Sequence, residues 1–168
     1  ASVGVSPEAA PFTLTDKVQD FKEIDRVQTA ELDFAAAMME SDRNLQMGLP
    51  MRFAIPAQVD FSLDNAGTWE DLKNGDWLWR LRVASPGALS INLGFMEYHM
   101  PVGASMTLLT PDGLEVMRPF TSADNQPGGQ LWTPVLNSDE IVIEVVVPAK
   151  RIAELRVRIG QVGAGFRR

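Results

Sequence analysis

Few residues of this 168-residue chain have the types needed for side-chain chemistry. It has one histidine and no cysteine. Thiolate nucleophiles, disulfides and cysteine-based zinc sites are therefore excluded together. His99 lies in Glu97-Tyr98-His99-Met100. A serine hydrolase needs a base within hydrogen-bond reach of the nucleophile and an acid to orient that base. No Gly-x-Ser-x-Gly turn accompanies His99, so it reads as a strand residue and not a catalyst. One histidine also falls short of the usual ligand set of catalytic zinc. Pro127-Gly128-Gly129 lacks the pattern of a phosphate-binding loop. Glycosidase chemistry would need two carboxylates across a cleft. Asp60 and Glu97 are the candidates, but they read more simply as solvated strand positions.

Oxygen-rich loops leave calcium as an alternative ligand. Asp124 and Asn125 with Ser122, and Asn137-Ser138-Asp139, are the possible donors. Turn chemistry alone would also place such residues there, so no cofactor is expected. Trp132 follows a Gly-rich loop and could stack on a sugar or fill a partner's pocket. The core-anchor reading of Trp132 is preferred. The net charge of −7 argues against a nucleic-acid surface. The strongest apolar run, Ile141 to Val147, is interrupted by Glu144 and is far shorter than a membrane-spanning helix.

The elements that must position these residues follow from periodicity. Residues 1–25 read as an extended N-terminal arm, small and polar up to Asp16 with Pro7 and Pro11. Asp25 and Gln28 have the spacing of a helix cap, and Leu32, Ala35, Ala36 and Met39 recur at helical spacing. These predict one amphipathic helix over about 26–43, ended by Gly48 and Pro50.

From Met51 the period becomes two. Met51, Phe53, Ile55, Val59, Phe61 and Leu63 alternate with polar residues, and Pro56 either places that run at a sheet edge or breaks it there. Trp77, Trp79, Leu81 and Val83 alternate with Arg80 and Arg82. The run from Leu89 changes phase after Phe95, which predicts a bulge or a strand crossing between sheets. Thr110-Pro111-Asp112-Gly113 is a turn, with Leu114 to Arg118 able to return as a short strand. Further strands are read at 131–136, 141–147 and 155–159, and glycines 160, 163 and 165 are read as loosening a flexible tail over 163–168. Eight or nine short strands between 51 and 162 predict a mostly-β, jelly-roll-like antiparallel β-sandwich with one N-terminal helix, forming a single domain over 26–168.

Several ordered motifs point further. They are Gly48-Leu49-Pro50-Met51-Arg52-Phe53-Ala54-Ile55-Pro56, Gly75-Asp76-Trp77-Leu78-Trp79-Arg80-Leu81-Arg82-Val83, and Ser85-Pro86-Gly87-Ala88-Leu89-Ser90-Ile91-Asn92-Leu93-Gly94-Phe95. Met100-Pro101-Val102-Gly103-Ala104, Gly129-Gln130-Leu131-Trp132-Thr133-Pro134-Val135 and a Val-rich strand ending Val147-Pro148-Ala149 follow. Together they resemble the N-terminal pro-region of secreted bacterial lysyl-endopeptidase-like serine proteases. The resemblance runs from about residue 26 to the C-terminus. It implies export to the periplasm or medium, and a role in folding, inhibiting or escorting a cognate trypsin-like protease domain. No catalytic residue of that family has a matching position here. The chain begins at Ala1 without an initiator methionine, which a removed signal peptide or trimming would explain. Phe166, Arg167 and Arg168, with Trp132, are the candidate partner-binding residues, and Arg167-Arg168 would suit a protease specific for basic residues. The alternative is a carbohydrate- or calcium-binding sandwich module of an exported protein.

Overall fold

The computed structural model describes residues 10–167. Two sheets face each other. The first contains β1 (Arg26–Gln28), β3 (Thr68–Asp71), β4 (Asp76–Ala84), β8 (Glu140–Pro148) and β6 (Ser105–Leu109). Its order is β1-β4-β8-β6, with β3 sharing the outer edge of β4. The second runs β2 (Ala54–Ser62), β9 (Arg156–Gly165), β5 (Ser90–His99) and β7 (Leu131–Trp132). The mostly-β, sandwich-like architecture is as the alternation requires. Every strand pair is antiparallel except β1 with β4, where a three-residue segment of the arm region adds alongside in parallel.

Alternation places the core between the sheets. Trp79, Leu81 and Val83 of β4 and Ile141, Ile143, Val145 and Val147 of β8 point inward, as do Ile91, Leu93 and Phe95 of β5. Val157, Ile159, Val162 and Ala164 of β9 meet them from the second sheet. The change of phase after Phe95 is a bulge: the β5–β9 register shifts at Gly94/Phe95 and again at Phe95/Glu97. That resets Tyr98 and Met100 to the buried side. β2 is an edge strand, as Pro56 demands.

Four expectations are corrected. Arg26–Gln28 is strand, not helix, because it pairs with Arg82, Val83 and Ala84. The helix α1 is Phe34–Gln46, and its cap is Asp33, whose carboxylate accepts from the Ala36 amide at 2.9 Å. The segment from Gly163 onward is no loose tail up to Gly165, because it completes β9 between β2 and β5. Its glycines are required for space: a Cβ on Gly163 or Gly165 would strike the Asn92 or Ser90 side chain of β5. Leu114 to Arg118 forms no strand and contributes only an isolated bridge, Leu109 to Val116.

The arm is also more structured than its composition implies. Residues 10–25 contain two short 3-10 turns, Phe12–Leu14 and Phe21–Glu23, and lie over the outer face of the first sheet. There the outward side chains of β4 and β8 are charged and buried. Arg80, 1% exposed, stands opposite Glu144, 3% exposed. The Glu144 carboxylate accepts from the amides of Phe12 (2.8 Å) and Thr13. Arg80 donates to the Gln19 carbonyl at 3.0 Å and to Glu70. Burial pushes the Arg80 pKa down, while Glu144 and Glu70 oppose that shift. One strand-step away, Arg82 and Arg26 share Glu140, and Phe21 stacks on the Arg82 guanidinium at 4.0 Å.

Arg80 keeps Glu70 as its ion-pair partner, so removing the Glu144 carboxylate chiefly leaves the Phe12 and Thr13 amides without an acceptor, at a cost of about 1–3 kcal/mol. Glu144→Ala is therefore expected to lower the urea midpoint by that order. It should also speed proteolysis within residues 12–22, since the arm loses its two anchoring acceptors. Unchanged cleavage kinetics would show that the arm is held by other contacts.

Candidate partner-binding surface

Three places carry the residues of interest. The first is the outer face of the second sheet. Arg158 of β9 lies between Asp60 of β2 and Glu97 of β5, bonding Asp60 at 2.8 and 3.1 Å and Glu97 at 3.2 Å. The fold therefore does bring the two carboxylates to one neighbourhood, but as joint partners of a guanidinium on an exposed face. His99 is exposed nearby at the end of β5, with Nδ1 3.0 Å from the Glu154 carbonyl. It is hydrogen-bonded to main chain and does not orient a nucleophile there.

The second is the region of Trp132. The core-anchor reading is corrected: the indole is 49% exposed and lies across Gly94 on the outside of the sheet. The cause is register, since Trp132 pairs with Gly94, an outward position of β5 that has no side chain. A groove beside it is lined by Met117, Arg118, Phe120, Asp124, Leu131 and Pro134.

The groove wall is a rigid turn. Thr121 and Asp124 cap each other's backbone in a reciprocal box at the Ser122–Asp124 turn. Asp124 also takes a two-pronged bond from Arg118 at 2.9 and 3.1 Å, and Arg118 stacks on Phe120 at 4.5 Å. The Arg118 bond holds the Asp124 carboxyl below its ordinary value, with the Thr121 amide adding to the effect. Tyr98 donates to the Thr121 carbonyl at 2.7 Å, and burial, with the charge of Asp124, pushes its phenol pKa up. Asn125 exchanges two hydrogen bonds with the Met100 backbone. Asp124 and Asn125, considered as calcium donors, are thus bound internally. Asp139 lies beyond the turn, and its carbonyl accepts from the Ser85 amide at the head of β8. Among the described residues no three His, Asp or Glu side chains gather as a metal set.

The third place is the end of β9. Phe166 is buried and its amide donates to the Phe53 carbonyl, so the ring offers no free face. Arg167 pairs with Asp42 of α1. Arg168 lies outside the described residues. Sequence reasoning missed the exposed side of α1 here, which carries Met38, Met39, Leu45 and then Met47 and Leu49. No local signal marks it: the Asp33 cap sets where the helix begins, not which of its faces turns inward.

These features define a β-sandwich domain whose internal charges serve one another, with exposed apolar groups that include Trp132 and a flank of α1. Residues 20–163 match the family model of the lysyl endopeptidase N-terminal domain. The chain belongs to that family. Among the described residues no helix is long and apolar enough to cross a membrane.

The Asp124 cap gives a pH test. A carboxyl with a depressed folded pKa contributes stability above its unfolded value, about 4, and that contribution is lost as pH falls through the folded value. Asp124→Asn should therefore be less stable than wild type at neutral pH. The gap should close on acidification below about pH 4 in urea titrations. A gap independent of pH would mean that the carboxylate's charge is not what holds the turn.

Proposed function

We propose that this chain is a non-catalytic pro-domain of a secreted serine protease, acting as folding chaperone, inhibitor or both for a cognate trypsin-like protease domain. The observation that supports this reading is the match of residues 20–163 to the lysyl endopeptidase N-terminal domain family. The chemistry agrees with it. Asp60 and Glu97 are neutralised by Arg158, and the ring nitrogen of the sole histidine meets a backbone carbonyl. Export to the periplasm or medium of a bacterium follows from the same reading.

Trp132 favours a second reading, a carbohydrate-binding module. Its half-exposed indole rests flat on a sheet face beside a groove, as a sugar-stacking platform would.

Mixing the purified domain with the mature protease of the same precursor separates the two. The pro-domain reading expects dose-dependent inhibition of peptide hydrolysis, or a raised yield when the denatured protease is diluted into buffer containing the domain. No effect on either, together with a thermal shift in a glycan panel that Trp132→Ala abolishes, would transfer the assignment to the carbohydrate module.

A further inference from the structure

The patterning of α1 conflicts with its seating. Leu32, Ala35, Ala36 and Met39 form the apolar series that the sequence directs toward the core. The helix instead sits on Phe34, Ala37, Ser41 and Asn44, spaced three and four residues apart along one stripe. Ser41 is fully buried, and its hydroxyl donates to the Arg52 carbonyl and accepts from the Arg52 amide, both at 3.0 Å. A small polar residue thus fixes the helix against the chain leading into β2. Ala35, Ala36 and Met39 are left in solvent.

At 100° per residue, Leu45, Met38, Ala35 and Met39 follow one another around one flank. Met39 is 65% exposed and Leu45 54%, and Met47 (66%) and Leu49 (48%) continue past the helix end. Asp42 is the charged residue within this flank, four residues from Met38 and three from Met39 and Leu45. Arg167 pairs with it and neutralises it. The C-terminal end of the described chain is therefore fastened in the middle of the apolar flank, just after Phe166 is buried beside Phe53.

We infer that this flank of α1 is the docking surface for the protease domain of the precursor. The inference rests on the pro-domain reading and adds to it the surface. Its occupant is set by position: in a family whose domain is N-terminal, polypeptide joined after β9 would leave from Arg167, which is paired with Asp42 on this flank. Tethering at that point gives the following domain a high local concentration around Asp42, on this flank. Methionine suits the task, since its flexible, polarisable side chain repacks against a partner that is itself folding.

The test uses the full chain and the mature protease of the same precursor. Hydrogen exchange on the wild-type mixture should slow at amides of residues 34–47, and the double variant Met39→Glu, Leu45→Glu should bind at least about tenfold more weakly. Val102→Ala, in the exposed turn between β5 and β6, should bind as wild type does. Both variant residues are exposed, so the fold should survive, with circular dichroism as the check; should the double variant unfold, exchange on the wild type decides alone. Binding without protection of 34–47, or with affinity unchanged in the double variant, overturns the docking surface and leaves the pro-domain reading standing. Absence of binding by the wild type removes both. Protection of 34–47 that rises with the concentration of the domain alone assigns the flank to a second copy and overturns the proposal.

Discussion

A buried guanidinium facing a buried carboxylate is the constraint around which the first sheet is organised. Arg80 and Glu144 occupy outward positions of adjacent central strands, yet both are sealed from water. Charges in such a place are tolerated only when their remaining donors and acceptors are met. The strands alone do not supply enough partners. The arm does, through two amides to Glu144 and one carbonyl to Arg80, and Glu70 on β3 closes the set. The pair thereby ties a segment more than 130 residues distant in sequence to the middle of the sheet. The same logic extends along the ladder to Glu140, where Arg26 and Arg82 converge and β1 begins its parallel pairing.

The second sheet solves a different problem. Its centre is β9, flanked on both sides by long strands. Glycines at outward positions let the side chains of neighbouring strands lie flat, which keeps that face shallow. The indole of Trp132 over Gly94 is the clearest case. A surface built this way presents an aromatic face without a deep cavity. The Asp60–Arg158–Glu97 group adds a neutralised charge cluster on the outside of the same sheet.

The two sheets and the sealed charge ladder form a rigid body, and the exposed apolar residues are concentrated at its margins. The end of β9 and helix α1 are joined there by one ion pair. That geometry links the last strand of the fold to the helix near its beginning.

Much of this was legible in the residues. Alternating runs such as Trp79-Leu81-Val83 and Ile141-Ile143-Val145-Val147 specify both strands and their buried faces, because a side-chain period of two admits one inward set. Pro56 narrowed its run to an edge or a break, and the phase change after Phe95 to a bulge or a crossing between sheets, for equally local reasons. The ordered motifs carried the family. What the sequence could not decide was everything set by a distant partner. Arg26-Val27-Gln28 has no strand pattern of its own and becomes strand only because β4 offers an edge. Glu144 looked like an interruption and is a buried anchor, since the arm that covers it lies far away in the chain. Trp132 looked like core and faces out because its register partner is glycine. Helix α1 shows an apolar flank that periodicity directs inward, and only the seating of Ser41 on Arg52 turns it toward solvent. Local pattern determines which faces are apolar; tertiary contact alone decides which of those faces are covered.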